Sequence, residues 1–179
     1  MTIAEVLSEL QKKLTAPGPS RRFYVVTGTY PLLAEFKSKL IEKQKRKVKP
    51  FNGLKLVSLN DDLINYMETL GILDKVIESE RDEKYDSVRK RLKEALENLL
   101  TSELKTSNTI CISDLELSYG YGLSLTFLWN WAVNEKQIII LVPGEKKAKE
   151  VIAFPWNEKT RQTFPNNLVK DEWTWEITE

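Results

Sequence analysis

Ile3, Val6, Leu7, Leu10 and Leu14 recur three and four residues apart, the spacing of one helix face, and Thr2 with Glu5 forms a capping box ahead of them. The prolines and glycine of Ala16–Ser20 stop this helix, which is expected over 2–15 as an accessory element. Phe23–Gly28 is aromatic and β-branched without alternation, the pattern of a strand buried on both faces. Pro31, at a favoured first-turn position, opens a helix whose apolar face is Leu32, Leu33, Phe36, Leu40 and Ile41. Leu54–Leu59 predicts a second strand. Asn60 then caps a helix carrying Asp61 and Asp62 in its first turn. The charged stretch Glu78–Asp86 separates that helix from another, striped by Val88, Leu92, Ala95, Leu96, Leu99 and Leu100. A third strand follows over Thr109–Ser113, then a loop or short turn over Asp114–Gly122 and a largely buried helix over Leu123–Val133. Gln137–Val142 is a fourth strand, ended by Pro143-Gly144, and Val151–Phe154 a fifth. Trp173, Trp175 and Ile177 alternate with polar residues and predict a half-buried terminal strand over about 172–178.

Strands alternating with helices predict one three-layer α/β domain over 1–179, with a mainly parallel five-stranded sheet covered on both faces. Composition narrows the chemistry. Lys plus Arg number 27 and Asp plus Glu 26 among 179 residues, so the chain as a whole is neither polycation nor polyanion. With no histidine, imidazole-based triads and imidazole metal sites are excluded. The single cysteine, Cys111, excludes a disulfide framework within one chain and reads as an inert core thiol. Glu5 and Glu9 interrupt the first apolar pattern in a way unlike a signal peptide. The apolar runs Ile138–Pro143 and Leu123–Val133 fall far short of the roughly 20 residues that span a bilayer. A cytoplasmic protein with no membrane partner is the expectation.

Ligands of open α/β sheets bind at the carboxyl ends of the strands, so the turn after the first strand is the first place to search. It reads Gly28-Thr29-Tyr30-Pro31-Leu32-Leu33-Ala34-Glu35. Laid on a phosphate-binding loop, Gly28 fills the first glycine. Leu33 replaces the second glycine, Ala34 the lysine and Glu35 the hydroxyl that binds Mg²⁺. Pro31 also removes an amide donor. The third strand ends in Ser113-Asp114-Leu115-Glu116, where Asp114 and Glu116 are candidate metal-side acids, or a turn cap and a solvated acid.

The entry Arg21-Arg22-Phe23-Tyr24, the segment Leu54–Asn60, Ser113–Leu117 and Ile138–Gly144 together resemble BrxF, the small phosphate-loop protein of some BREX anti-phage systems. Pro143-Gly144-Glu145 gives a weaker resemblance to BrxB, another BREX component. The resemblance implies a phosphate-loop NTPase-like (AAA-like) core with strand order 5-1-4-3-2, working inside a multi-protein defence system. With the loop degraded, it implies a non-catalytic or weakly nucleotide-binding subunit. Such a subunit docks a larger ATPase, methyltransferase or phosphatase-like partner, needs no cofactor, and keeps only a vestigial nucleotide site at Gly28, Asp114 and Glu116. One alternative is an NTPase taking ATP with Mg²⁺ through an unorthodox Asp114–Glu116 site.

Lys37 to Lys49 holds Lys37, Lys39, Lys43, Lys45, Arg46, Lys47 and Lys49 against Glu42 alone. Such a run suits the phosphates of DNA, and the candidate contacts are Lys43, Lys45, Arg46, Lys47 and Lys49. A solvated helix end, where cations are stabilising, is the plainer reading of the run. A DNA-binding accessory protein is therefore a further alternative. Tyr119, Tyr121, Trp173 and Trp175 are the candidate partner contacts, because aromatic residues dominate interface hot spots. Trp129 or Trp131 is expected in the core.

Overall fold

The computed structural model describes residues 1–16, 22–133, 135–148, 150–159, 161–164 and 171–179. The helices are α1 (Ile3–Thr15), α2 (Tyr30–Lys45), α3 (Leu59–Thr69), α4 (Leu73–Arg81), α5 (Tyr85–Thr106), α6 (Glu116–Gly120) and α7 (Leu128–Trp131). The strands are β1 (Arg22–Gly28), β2 (Leu54–Ser58), β3 (Thr109–Ser113), β4 (Gln137–Lys147), β5 (Glu150–Ala153), β6 (Gln162–Phe164) and β7 (Thr174–Glu176).

The sheet runs β2-β3-β4-β1-β7, and every neighbouring pair in that order is parallel. The right-handed crossover rule places α2 on one face and α3 to α5 on the other. Contacts agree, since α1 packs on α2 while α3, α4 and α5 pack on one another. The strands read as continuous apolar runs because both faces are covered, and Val25, Val26, Ile110, Ile112 and Ile138–Ile140 are fully buried. Among the described residues no helix is long and apolar enough to cross a membrane.

The α1 capping box forms as expected: Thr2 N donates to Glu5 Oε2 at 2.8 Å and Glu5 N to Thr2 Oγ1 at 3.3 Å. The helix ends at Thr15 with Ala16 as its cap, and the stop expected at Pro17–Ser20 lies outside the described residues.

Three expectations need correction. The place beside β1 belongs to the terminal strand β7, not to Val151–Phe154. That segment instead forms β5, a hairpin partner of β4. The hairpin exists because β4 does not stop at Pro143-Gly144. The β3 register ends at Ile112↔Ile140, so Pro143 breaks no ladder bond on that side. Pro143 pairs with Gly28 across β1, and its carbonyl accepts from Phe154 N at 2.8 Å. A side chain on Gly144 would collide with the Ile152 carbonyl oxygen, so only glycine lets β5 approach.

The second correction concerns Leu123–Val133, where only Leu128–Trp131 is helical. Ser124 Oγ donates to Thr126 Oγ1 at 2.9 Å and accepts from Thr126 N at 3.2 Å, a local alternative to helix bonding. Trp129 and Trp131 are half-buried against the core.

The third correction concerns Trp173 and Trp175, which are core residues and offer no contact surface in this fold. Their rings lie 5.6 and 6.0 Å from that of Tyr24, under α1, and each is 7% exposed. The outer edge of β7 is covered by the first residues of the chain. The Met1 amine donates to Glu176 O at 3.0 Å, Thr178 N to Met1 O at 3.0 Å, and Ile3 N to Glu179 O at 3.2 Å.

Candidate functional site

The carboxyl ends of β1, β3 and β4 open on a cleft of about 400 Å³ lined by Tyr30, Lys37, Ser113, Asp114, Glu116 and Pro143. Its geometry begins with the turn after β1. The strand ends at Gly28 and α2 begins at Tyr30, leaving Thr29 as the whole connection and the helix cap. One residue cannot wrap a phosphate in backbone amides, which takes a loop of several residues. Gly28 serves the sheet instead. It pairs with Pro143, and a Cβ there would sit 3.0 Å from the Ile177 carbonyl oxygen. The reading of Gly28 as a phosphate glycine is thereby corrected.

Asp114 follows β3 with its backbone in the left-handed region, at φ 58°. A non-glycine residue there costs of order 1–3 kcal/mol, which its surroundings must offset. The backbone is held by Asn60 N, which donates to the Asp114 carbonyl at 3.1 Å. Three donors converge on Asp114 Oδ2: Lys37 Nζ at 2.9 Å, Ser58 Oγ at 2.5 Å and Ser113 Oγ at 2.9 Å. Burial pulls the Asp114 pKa up, but the bonds from Ser58, Lys37 and Ser113 outweigh it and the net shift is downward. Asp114 is therefore an ion-paired carboxylate.

Glu116 turns to other partners. Asn60 Nδ2 donates to its Oε2 at 2.8 Å, while Asn60 Oδ1 accepts from Leu117 N at 2.9 Å. Asn60 thus clamps both ends of the 114–117 turn from the first turn of α3, whose cap position is Ser58. The phenol of Tyr30 is raised above its ordinary pKa by burial first, then by a hydrogen bond to Glu116 and by the Glu116 and Asp114 charges. The two acids are consequently committed to different neighbours. Among the described residues no three acids or cysteines converge closely enough to hold a metal ion.

Lys37, Ser58 and Tyr30 were not singled out for this site by sequence. The available signal for Lys37 was spacing. It lies three residues beyond Ala34, one turn along α2, so the cation absent from the phosphate-loop position returns on the same helix face. Its ammonium neutralises Asp114, one of the two candidate metal-side acids.

A second cleft, of about 810 Å³, adjoins across Glu116 and includes Ile64, Glu80, Tyr85, Arg89 and Tyr121. Tyr121 is half-buried there. Its carbonyl accepts from Arg89 Nε at 3.0 Å, and its phenol is raised by burial, then by a hydrogen bond to Glu80. Tyr119 is 1% exposed, packed 5.3 Å from the Phe154 ring, and so is a core residue and not a contact. Tyr85 in this cleft is 53% exposed, and Tyr30 and Trp156, at 45% and 56%, form an exposed pair with ring centroids 5.7 Å apart.

The basic run divides. Lys37 points to Asp114 at the carboxyl end of the sheet. Lys43 lies half-buried over the Phe51 ring, 5.7 Å from its centroid. Lys45, Arg46, Lys47 and Lys49 are exposed at the opposite end of α2. Cys111 is buried mid-strand with its thiol pushed up to about 12 by burial, as an inert core thiol requires.

Compared with protein families, curated proteins and solved structures, the chain matches none.

Proposed function

We propose that this chain is a non-catalytic subunit of an anti-phage defence assembly, built on a phosphate-loop-like sheet and working by docking a larger protein partner. The observation that carries the non-catalytic reading is the site's internal closure. The β1–α2 connection is Thr29 alone, and Asp114 already holds Lys37, Ser58 and Ser113 on one oxygen. A magnesium nucleotide would have to displace Lys37 and would still find no amide cradle. The defence setting rests on the resemblance to BrxF and BrxB, and the β1-β4-β3-β2 order is compatible with it. For partner contact, the exposed pair Tyr30 and Trp156 replaces the buried Trp173 and Trp175.

The test is thermal unfolding with and without millimolar ATP and Mg²⁺. A ligand at about 100 times its Kd stabilises the folded state by about 2.7 kcal/mol, a shift of several degrees. No shift is expected. A Mg²⁺-dependent shift, with ATP hydrolysis abolished by Asp114→Ala, would overturn the reading. Co-expression with products of adjacent defence genes tests docking: co-purification is expected with the native chain and its loss with Tyr30→Ala plus Trp156→Ala.

A further inference from the structure

The end of the sheet where the strands begin lies opposite the cleft and takes no part in the function proposed above. Hydrogen bonds tie its loops into one continuous surface. Gln11 Nε2 donates to Lys49 O at 3.0 Å, joining α1 to the loop after α2. Ser107 Oγ donates to Gly53 O at 3.0 Å, joining that loop to the end of α5. Lys136 Nζ donates to Ser107 O at 3.3 Å, and Gln137 Nε2 to Leu14 O at 3.1 Å, closing the ring back to α1.

The charge on this surface is one-sided. Lys45, Arg46, Lys47, Lys49 and, across the ring, Lys105 are exposed, and none of them enters an ion pair among the described residues. Of the nearby acids, Glu9 is paired with Lys12 and Glu103 with Lys55, leaving Glu42 and Glu135 against the five cations among the described residues. The net charge of +1 hides this segregation.

A second observation concerns the backbone. Val48 N donates to Lys43 O and Lys47 N to Gln44 O, both at 2.9 Å, the paired bonds of a helix end in which Lys47 occupies the left-handed position at φ 55°. Glycine is the usual residue there, and a lysine is strained. The same bonds place Glu83 at φ 57° after α4, so this is a helix-end geometry the fold uses twice; at α2 it leaves Lys47 exposed among the unpaired cations.

We infer that this edge binds the phosphodiester backbone of a nucleic acid through Lys45, Arg46, Lys47 and Lys49. Phosphate chemistry is what four closely spaced, unpaired cations select, and a contact made to phosphates carries no sequence information.

The experiment is fluorescence anisotropy with a labelled DNA of about 20 nucleotides, as single strand and as duplex, over a salt series. Four phosphate contacts give a log–log salt slope of about −2.8 for a single strand or −3.6 for a duplex. Between about 50 and 200 mM salt that is roughly a 50- to 150-fold loss of affinity, and the slope tells the two forms apart. Lys45→Ala, Arg46→Ala and Lys49→Ala together should abolish binding at physiological salt. Lys47→Gly separates binding from folding. It should weaken binding and reduce the slope by about 1 while raising Tm by ~2–4 °C, because glycine relieves the strained position. Lys84→Ala, at an exposed pair with Asp82, should leave binding unchanged. Absent binding at low salt, a slope near zero, or native affinity in the triple variant would overturn the inference. None of these outcomes bears on the nucleotide test, which reads the other end of the sheet.

Discussion

Asp114 is secured by a lysine that stands one helical turn away from where a phosphate-binding lysine would stand. A double-mutant cycle on Lys37→Met and Asp114→Asn isolates that contact, because asparagine keeps the size and the serine bonds. At the observed 2.9 Å two unit charges attract by about 6 kcal/mol at an effective dielectric of 20 and by about 1.4 kcal/mol in water. The side chains are 28% and 42% exposed, so solvent screening and lost rotamer freedom bring the coupling down to about 1 kcal/mol. With a typical urea dependence, that moves the unfolding midpoint of either single variant by about 0.5 M. The pH dependence has a definite sign. The folded-state pKa of Asp114 is lowered, so the stabilisation is fully present above the unfolded value of about 3.9 and is lost as pH falls through the folded value. Urea titrations at pH 7 should therefore give a coupling near 1 kcal/mol that shrinks at the acid end of a series below pH 4. A coupling within about 0.3 kcal/mol of zero at pH 7, or one unchanged in acid, would refute the argument.

Gly144→Ala should destabilise by about 1–3 kcal/mol or more, since its methyl group meets the Ile152 carbonyl; calorimetry checks this, and an unchanged Tm would contradict the close approach of β5. Trp175→Ala removes a buried ring from the Tyr24 cluster and should cost about 3–5 kcal/mol, read from chemical denaturation. Cys111 should resist thiol reagents at pH 8 in the native state and react fully in denaturant, because its thiol is buried and pushed up to about 12. Asn60→Ala leaves Leu117 N without its partner and Glu116 with Tyr30 alone, and should cost about 1–3 kcal/mol in the same denaturation assay.

The strands were legible because their apolar runs are short, β-branched and bounded by turn residues. β3 coincides with the expected Thr109–Ser113, and β1 and β2 differ by a residue at one end. Order at the β1 edge was not legible, because it depends on whether β4 ends at Pro143. A proline reads as a stop, yet its effect depends on whether a neighbouring strand needs its amide, a tertiary fact. Trp173 and Trp175 were misplaced for a related reason. Alternation marks one dry face, but Thr174 between them is also buried, at 7%, because the edge is covered by the chain's first residues. In the basic run, charge was visible and partnership was not. Lys37 and Lys43 sit in the same pattern as Lys45 and Lys47, and only folding gives the first two a carboxylate and an aromatic ring.

The seam between Met1 and Glu176 joins residues 175 apart in sequence. It sets a timetable for the chain as it is made. β1 is complete early, but its outer edge waits bare until Thr174–Glu176 has left the ribosome, and Tyr24 waits with it for its aromatic neighbours. Until then that edge is a template for any strand that passes. A nascent chain stalled short of β7 is accordingly the species most prone to mispair, and it is the arrival of β7 that seals the sheet.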